Sequence, residues 1–467
     1  MTRETWYLTP RDPLVLGDGR GPVPFVERKT HPLPLPGTLA GMVRASFVQD
    51  RSEVSSAEAL ALLDIRVGAP WLVRLADPVR GLDGGVEHHY VFAPADARVA
   101  ATGRLERAAV IALNGGQDGE GVYWPPGFPR LDHLVLLPER SDDGSKYEVP
   151  RRLFWPLGAL VNWSLGEDPR SDAFECVAEP PRPADGSSPD GDDPHVPTRP
   201  EQRTHVGIDD EAQTADPSIL FSSAGQRMAP HFSIAVEVDL PPQCPPGPAA
   251  HALGVLGGES RLTSIVRRPA AQSGFGFPPF SDWEGRYRHA LEAAKDPLGG
   301  IRLQLLSHAF LPPQDGDEGW ACLPSWLESR RHPRLPEGLY LRLVALCVPG
   351  PLAISGWDLQ AVAAGTPDNG GRRTHSGGAP REVRRLVPAG SLYYFALEDA
   401  QGAPVTEREK WLDACRCLWW ELLDPEGPGE RTDETRHRAA AGADGHGRIL
   451  PGLWSPGAAM ASGASVR

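Results

Sequence analysis

The residues of this chain best suited to chemistry are arginines set beside glycines. Residues 371–390 hold five arginines (372, 373, 381, 384 and 385) against one glutamate, a local charge of +4 in a protein of formal net charge −14. Such a window is the natural place for a polyanion, although an exposed basic loop has the same composition. It leads through Arg384-Arg385 into Val387-Pro388-Ala389-Gly390-Ser391 and a strand. Upstream, Leu256-Gly257-Gly258-Glu259-Ser260-Arg261 sets paired glycines ahead of an arginine. Gly-Gly lets a backbone approach phosphates or another backbone closely, and a plain hairpin turn is the bland alternative. Arg203-Thr204-His205-Val206-Gly207-Ile208-Asp209 runs on to Leu220-Phe221 and Arg227, which reads as a β-hairpin with an arginine at its base.

A fourth segment follows Gly37. Leu39, Met42, Val43 and Phe47 fall on one helical face behind Thr38, which is a good N-cap residue. The free N–H groups of such a helix start, with Arg44 nearly two turns in, suit a phosphate; a capped core helix explains the same pattern. Familiar catalytic signatures are missing: there is no Gly-x4-Gly-Lys-Ser/Thr, His-Glu-x-x-His or Gly-x-Ser-x-Gly. Gly17-x-Gly19-x-Gly21 lacks the spacing of a dinucleotide fingerprint, and His88-His89 reads as exposed loop histidines. Phe275-Gly276-Phe277 evokes an aromatic RNA platform but lacks its basic residue, so it reads as a loop with buried phenylalanine. The six cysteines (176, 244, 322, 347, 415 and 417) form no Cys-x-x-Cys pair, which points away from structural zinc. No cofactor or metal is expected.

The elements that must carry these residues are short. With 51 Gly and 50 Pro in 467 residues, long helices and coiled coils are excluded. No run of 18 apolar residues occurs, so no membrane partner is expected, and the polar start Met1-Thr2-Arg3-Glu4 predicts a cytoplasmic protein. Strands are predicted at 6–8 and 11–16, then over 69–75, 90–93, 108–113 and 131–137, with helices from Thr38 and over 57–64. Residues 166–200 hold nine Asp/Glu, three Arg and eight Pro, and read as a disordered or loosely draped insertion. Beyond it come strands at 203–208, 219–221, 232–239, 301–310, 339–348 and 392–397, helices at 283–295 and 406–414, and a charged tail over 424–447. The pattern is α+β: two sheet-and-helix units with long loops and insertions. The units are 1–165, then the acidic insertion 166–200, then 201–467 with a Gly-rich C-terminal segment.

Asp12-Pro13-Leu14 with Asp18-Gly19-Arg20, followed by PLPLPGTLAGMVRASF at 32–47, resembles the N-terminus of the third-subunit family of Cmr complexes. These are RAMP-superfamily proteins of type III-B CRISPR effectors. The likeness continues in order through RTHVGIDDEAQTADPSILF at 203–221, LGGESR at 256–261, Gly356-Trp357-Asp358-Leu359, RRLVPAGSLYYF at 384–395, and Gly445-His446-Gly447. The resemblance implies that each unit is a ferredoxin-like (RRM-like) RAMP domain and that the chain is a non-catalytic holder of the guide RNA's 5′ handle. Implied partners are the large polymerase-like CRISPR subunit and a backbone RAMP subunit. A hairpin in this group pushes against the guide. Mapped here, Gly37, Thr38, Arg44, Arg203, Arg227, Gly257, Gly258, Arg261, Arg384, Arg385 and Ser391 would contact the handle. Arginine suits that work because its planar fork pairs two phosphate oxygens and stacks on splayed bases. The alternative is a metal-independent repeat-RNA endoribonuclease of the RAMP type, with His31, His205 or His231 as general base. An adaptor touching only protein is a third reading.

Overall fold

The structure, a computed structural model, describes residues 2–17, 30–48, 61–112, 129, 131–138, 144, 146–178, 193, 195–208, 214–258, 260–270, 275–294, 298–311, 320–354, 357–358, 379–380, 383–425 and 445–456. Its fold is mixed, with antiparallel sheets and short helices.

The first sheet grows around the strand Thr2–Pro10, where Trp6, Tyr7 and Leu8 are all buried. Side chains alternate across a strand, so Trp6 and Leu8 join one apolar cluster while Tyr7 joins another. Phe232–Leu240 repeats the split, with Ile234, Val236 and Val238 on one face and Ala235 on the other. Across the sheet the strands run His251–Leu256, Arg261–Pro269, Thr2–Pro10, Phe232–Leu240, Trp71–Asp77, Gly81–Phe92 and Phe154–Pro156, with Arg66–Val67 also paired to Phe232–Leu240. All these pairings are antiparallel. This sheet therefore takes strands from both sides of residues 166–200.

Helix Pro36–Ala45 covers one face of that sheet through Leu39, Met42 and Val43. It starts two residues before Thr38: Pro36 opens it without needing an N–H partner, Leu35 is the N-cap, and no side chain caps it. Thr38 is an interior residue whose N–H donates to the Leu35 carbonyl at 2.9 Å. Of the helix predicted at 57–64, residues 61–63 are helical and 57–60 lie outside the described residues.

The second sheet has the order Tyr340–Cys347, Leu392–Glu398, Gly300–Leu305, Ile449–Trp454. Ile301, Leu303 and Leu305 point into the large cluster that also holds Leu412, Cys415 and Leu418 of helix Arg408–Leu418. The same cluster takes in Tyr7, Trp71 and Val73 from the back of the first sheet, so one core joins the two sheets.

Within the acidic segment Phe174 and Val177 are anchors, 2% and 1% exposed, with Phe174 edge-on to Trp163 at 5.6 Å, while Gly166, Glu167, Asp168, Arg170, Asp172, Glu175 and Ala178 are exposed. Farther along, Asp193 pairs with Arg152 at 2.5 Å. Residues 179–192 and 194 lie outside the described residues. His88 and His89 belong to strand Gly81–Phe92 and not to a loop. The His89 ring is half-buried and its Nδ1 accepts a hydrogen bond from Trp71 Nε1 at 3.1 Å. Most of the charged tail, 426–444, lies outside the described residues, as does Gly17-x-Gly19-x-Gly21 from residue 18 onward.

Candidate functional site

The extended segment Leu14–Gly17 is the hub of the site. Leu14 exchanges hydrogen bonds with Gln226 (2.8 Å each way), and the Gly258 N–H donates to the Val15 carbonyl at 2.8 Å. The base of the long hairpin Thr198–Ile208/Ala215–Met228 and the turn at Gly257-Gly258 are thereby sewn to one short stretch of chain. Gly257 takes φ +76°, and a Cβ there would meet the Val15 carbonyl oxygen at 2.8 Å. Only glycine supplies both the left-handed backbone and the close approach.

Beside this hub lies a cleft of about 280 Å³. It is lined by Val15, Leu16, Gly17, His31, Leu35, Thr38, Gly41, Met42, Ala45, Val255, Gly257 and Gly258. Thr38, Gly257 and Gly258, three of the residues singled out by sequence, thus share one cavity, and Gly37 precedes Thr38 on the same helix. His31 is 7% exposed. Deeper in the protein, His446 Nδ1 lies 3.1 Å from the His308 carbonyl oxygen. The Gly445-His446-Gly447 stretch is held in place by further hydrogen bonds. The Ser307 hydroxyl donates to the Gly445 carbonyl at 2.8 Å, and the Gly447 N–H donates to the His308 carbonyl at 2.9 Å. At Gly445 (φ +75°) a Cβ would fall 2.0 Å from the Ala69 nitrogen. The backbone at Gly445 presses here directly on that of Gly68 and Ala69.

Other expected contacts sit elsewhere. Arg44 Nη2 donates to the Ile65 carbonyl at 2.9 Å, on a helix face outside the cleft lining. Arg227 stands at the hairpin base and Arg203 partway along it, and they share one carboxylate: Arg203 Nε lies 2.7 Å from Glu201 Oε1, and Arg227 bonds Oε2. Hydrogen bonds from Arg227 and then Arg203 hold Glu201 down to about 2, so a phosphate there must compete with a carboxylate. Arg261 opens the strand leaving the glycine turn, opposite Leu256. Arg384 places its guanidinium 5.0 Å from the Phe310 ring centroid, and Arg385 is exposed on the paired strand Arg384–Leu386. Arg372, Arg373 and Arg381 lie outside the described residues. Ser391 is a correction: it is fully buried in the second sheet and offers nothing to a surface ligand. The three histidines of the nuclease alternative occupy different elements. His31 lines the cleft, His205 lies on the hairpin and His231 is exposed in the turn after it. Among the described residues no group of three or more His, Cys, Asp or Glu is placed to hold a metal ion, and no helix is long and apolar enough to cross a membrane.

Sequence reading missed Gly17, Gly41 and Ala45 as cleft residues. Gly37-x3-Gly41-x3-Ala45 is a small-residue stripe visible in the sequence, but its meaning depends on what faces it.

Desolvation holds several imidazoles neutral: His89, His332 and His446 are lowered to about 4, and His308 to about 3. The unfolded chain titrates near 6.5 and takes up these protons first as pH falls. Stability is therefore full above pH ~7 and lost progressively between about 6.5 and 4. Each imidazole is expected to cost at most about 2 kcal/mol at pH 5. Urea midpoints at pH 7.5 and 5 check this; equal midpoints would contradict it.

Residues 6–454 match a single family model, which sets the chain among the CRISPR-associated proteins. Within that class it belongs to the Cas_Cmr3 family. Similar solved structures include a chain of the type III-B Cmr-beta complex bound to cognate target RNA, at 10% identity and a TM-score of 0.41, covering 95% of this chain and 96% of that one. Another is from the same complex with cognate target RNA and AMPPnP, at 11% identity and a TM-score of 0.37, covering 84% and 86%. The Csm3-Csm4 subcomplex of the type III-A interference complex gives 7% identity and a TM-score of 0.26, covering 86% of this chain and 95% of that one. No curated protein matches the chain.

Proposed function

We propose that this chain is the subunit of a type III-B CRISPR effector that grips the 5′ handle of the guide RNA, without nuclease chemistry of its own. It docks there against the large polymerase-like subunit and a backbone RAMP subunit. The observation that carries the reading is the convergence on Leu14–Gly17 of the Pro36–Ala45 helix start, the Gly257-Gly258 turn and the hairpin base. These segments are far apart in sequence, and the helix start and the glycine turn are each of a kind suited to phosphate. The cleft between them is at the small end of ligand sites, the size of a nucleotide and not of a duplex. Glycine backbone lets a strand approach closely, and Arg203, Arg227, Arg384 and Arg385, which lie outside the cleft lining, would meet phosphates farther along the strand. The local basic surface is compatible with an acidic whole, because phosphate contacts act within about a Debye length of ~8 Å.

The strand orders support two ferredoxin-like units. In the first sheet Arg261–Pro269, Thr2–Pro10, Phe232–Leu240 and Trp71–Asp77 stand as fourth, first, third and second strands, and the second sheet repeats that order. On this reading the first unit closes only after Pro269, and 78–231 is a long insertion into it.

Ultraviolet crosslinking of the assembled complex, with mass spectrometry of RNA-linked peptides, tests the assignment. Handle crosslinks are expected in peptides spanning 30–48 and 250–261. Handle crosslinks confined to other subunits would overturn it.

A further inference from the structure

A second, larger cleft of about 1020 Å³ opens on the face of the second sheet that carries Arg302 and Tyr394. Its walls are the strand Ala109–Ala112, helix Leu157–Ser164 with the turn to Glu167, helix Glu284–Ala293, and the end of strand Ile449–Trp454. None of the residues assigned to the guide RNA lines it.

Arg302 on strand Gly300–Leu305 is 2% exposed. Its Nη1 donates to Asp96 Oδ2 at 3.0 Å. Asp96 is fully committed elsewhere as well, accepting from Tyr394 Oη at 3.0 Å and from Trp163 Nε1 at 2.8 Å. Among the described residues Nε and Nη2 of Arg302 have no hydrogen-bond partner, and neither has Nε of Arg107. Arg107 lies over the Trp163 ring at 4.3 Å, and its Nη2 donates to the carbonyls of Trp163 (2.9 Å) and Glu167 (3.1 Å). Burial pulls Arg107 down to about 10, which leaves it cationic at neutral pH. Of the carboxylates that act on Arg107, Asp96 is buried, whereas Asp168 is exposed and paired with Arg170 at 2.8 Å. The surplus positive charge sits where water is largely excluded, a situation proteins avoid unless an anion completes it. The Glu167 side chain, at the exposed rim, accepts from the Ser171 hydroxyl.

We propose that this cleft binds a small phosphate monoester, whose oxygens take the open N–H groups of Arg302 and Arg107. A dianion with three terminal oxygens matches three unpartnered donors on two guanidinium groups better than a carboxylate with two oxygens. A terminal phosphate also reaches a floor residue that is 2% exposed, which an internal phosphodiester of an RNA strand does not. The apolar and aromatic walls from Trp163, Tyr394, Trp454 and Ala290 would receive the organic part.

The test is titration of the full chain at constant ionic strength with inorganic phosphate and with glycerol 3-phosphate, followed by calorimetry and thermal unfolding. Saturable binding with a rise in Tm that chloride does not reproduce is expected. R107M, at the half-buried partner, is expected to bind phosphate at least tenfold more weakly while keeping its Tm without phosphate; R302M is expected to weaken phosphate binding likewise but to lower the Tm, because it strips the buried Asp96 of its ion-pair partner. Should R302M fail to fold, the wild-type titration and R107M decide. Absence of saturable binding, equal binding by R107M, or displacement of phosphate by a 5′-hydroxyl single-stranded RNA would each overturn the proposal.

Discussion

Replacing Asp96 by alanine is expected to destabilise the protein by about 3–5 kcal/mol, the cost of stripping one partner from a buried ion pair. Asp96 is completely buried, and its two oxygens satisfy Arg302, Trp163 and Tyr394 at once. Removing it leaves the Arg302 guanidinium without its carboxylate in a dry interior, and two further donors without acceptors. The consequences spread because the three partners come from separate elements: strand Gly300–Leu305, helix Leu157–Ser164 and strand Leu392–Glu398. Tyr394→Phe removes only one hydrogen bond and is expected to cost about 1 kcal/mol. Chemical denaturation of the two variants beside wild type provides the comparison. If D96A costs no more than Y394F, the carboxylate is not the tie between these elements.

Gly41→Leu is expected to lower the affinity of the assembled complex for its guide handle tenfold or more, about 1.4 kcal/mol, while leaving the protein as stable or more so. Gly41 sits inside helix Pro36–Ala45, where glycine costs roughly 0.5–1 kcal/mol relative to alanine. A Cβ at this position meets nothing within 4 Å, so a larger side chain fits the isolated fold and enters the cleft instead. Stability and binding should therefore move apart. Filter binding of handle RNA and a thermal melt on the same preparations read the two effects. Unchanged binding with a raised Tm would mean the cleft is empty space and not a binding site.

Much of the architecture was legible because it rests on local pattern. The alternation Phe232, Ile234, Val236, Val238 predicts a half-sorted strand, and the structure sends those side chains to one cluster and Ala235 to the other. The spacing Leu39, Met42, Val43 predicts the buried helix face. The hairpin with arginine at its base appears as read, at Arg227. Errors arose where packing or partners decide. Helix entry at Pro36 instead of Thr38 reflects a proline that needs no cap. Ser391 reads as a polar residue beside a basic window, yet it is fully buried just before the interior strand Leu392–Glu398.

By itself, then, the order of residues determined the periodicities, the glycines that demand unusual backbone, the turn-rich α+β texture and the family motifs, since all of these are carried by neighbours along the chain. Only the tertiary structure decided which motifs meet. Leu14 and Gln226, Val15 and Gly258, and Asp96 and Arg302 are each separated by about two hundred residues. Nothing in local spacing encodes such pairings; they follow from sheet register and from a core shared by two sheets. The same holds for charge: the −14 of the whole chain says nothing of a cleft where the buried Arg302 and the half-buried Arg107 share the field of the buried Asp96.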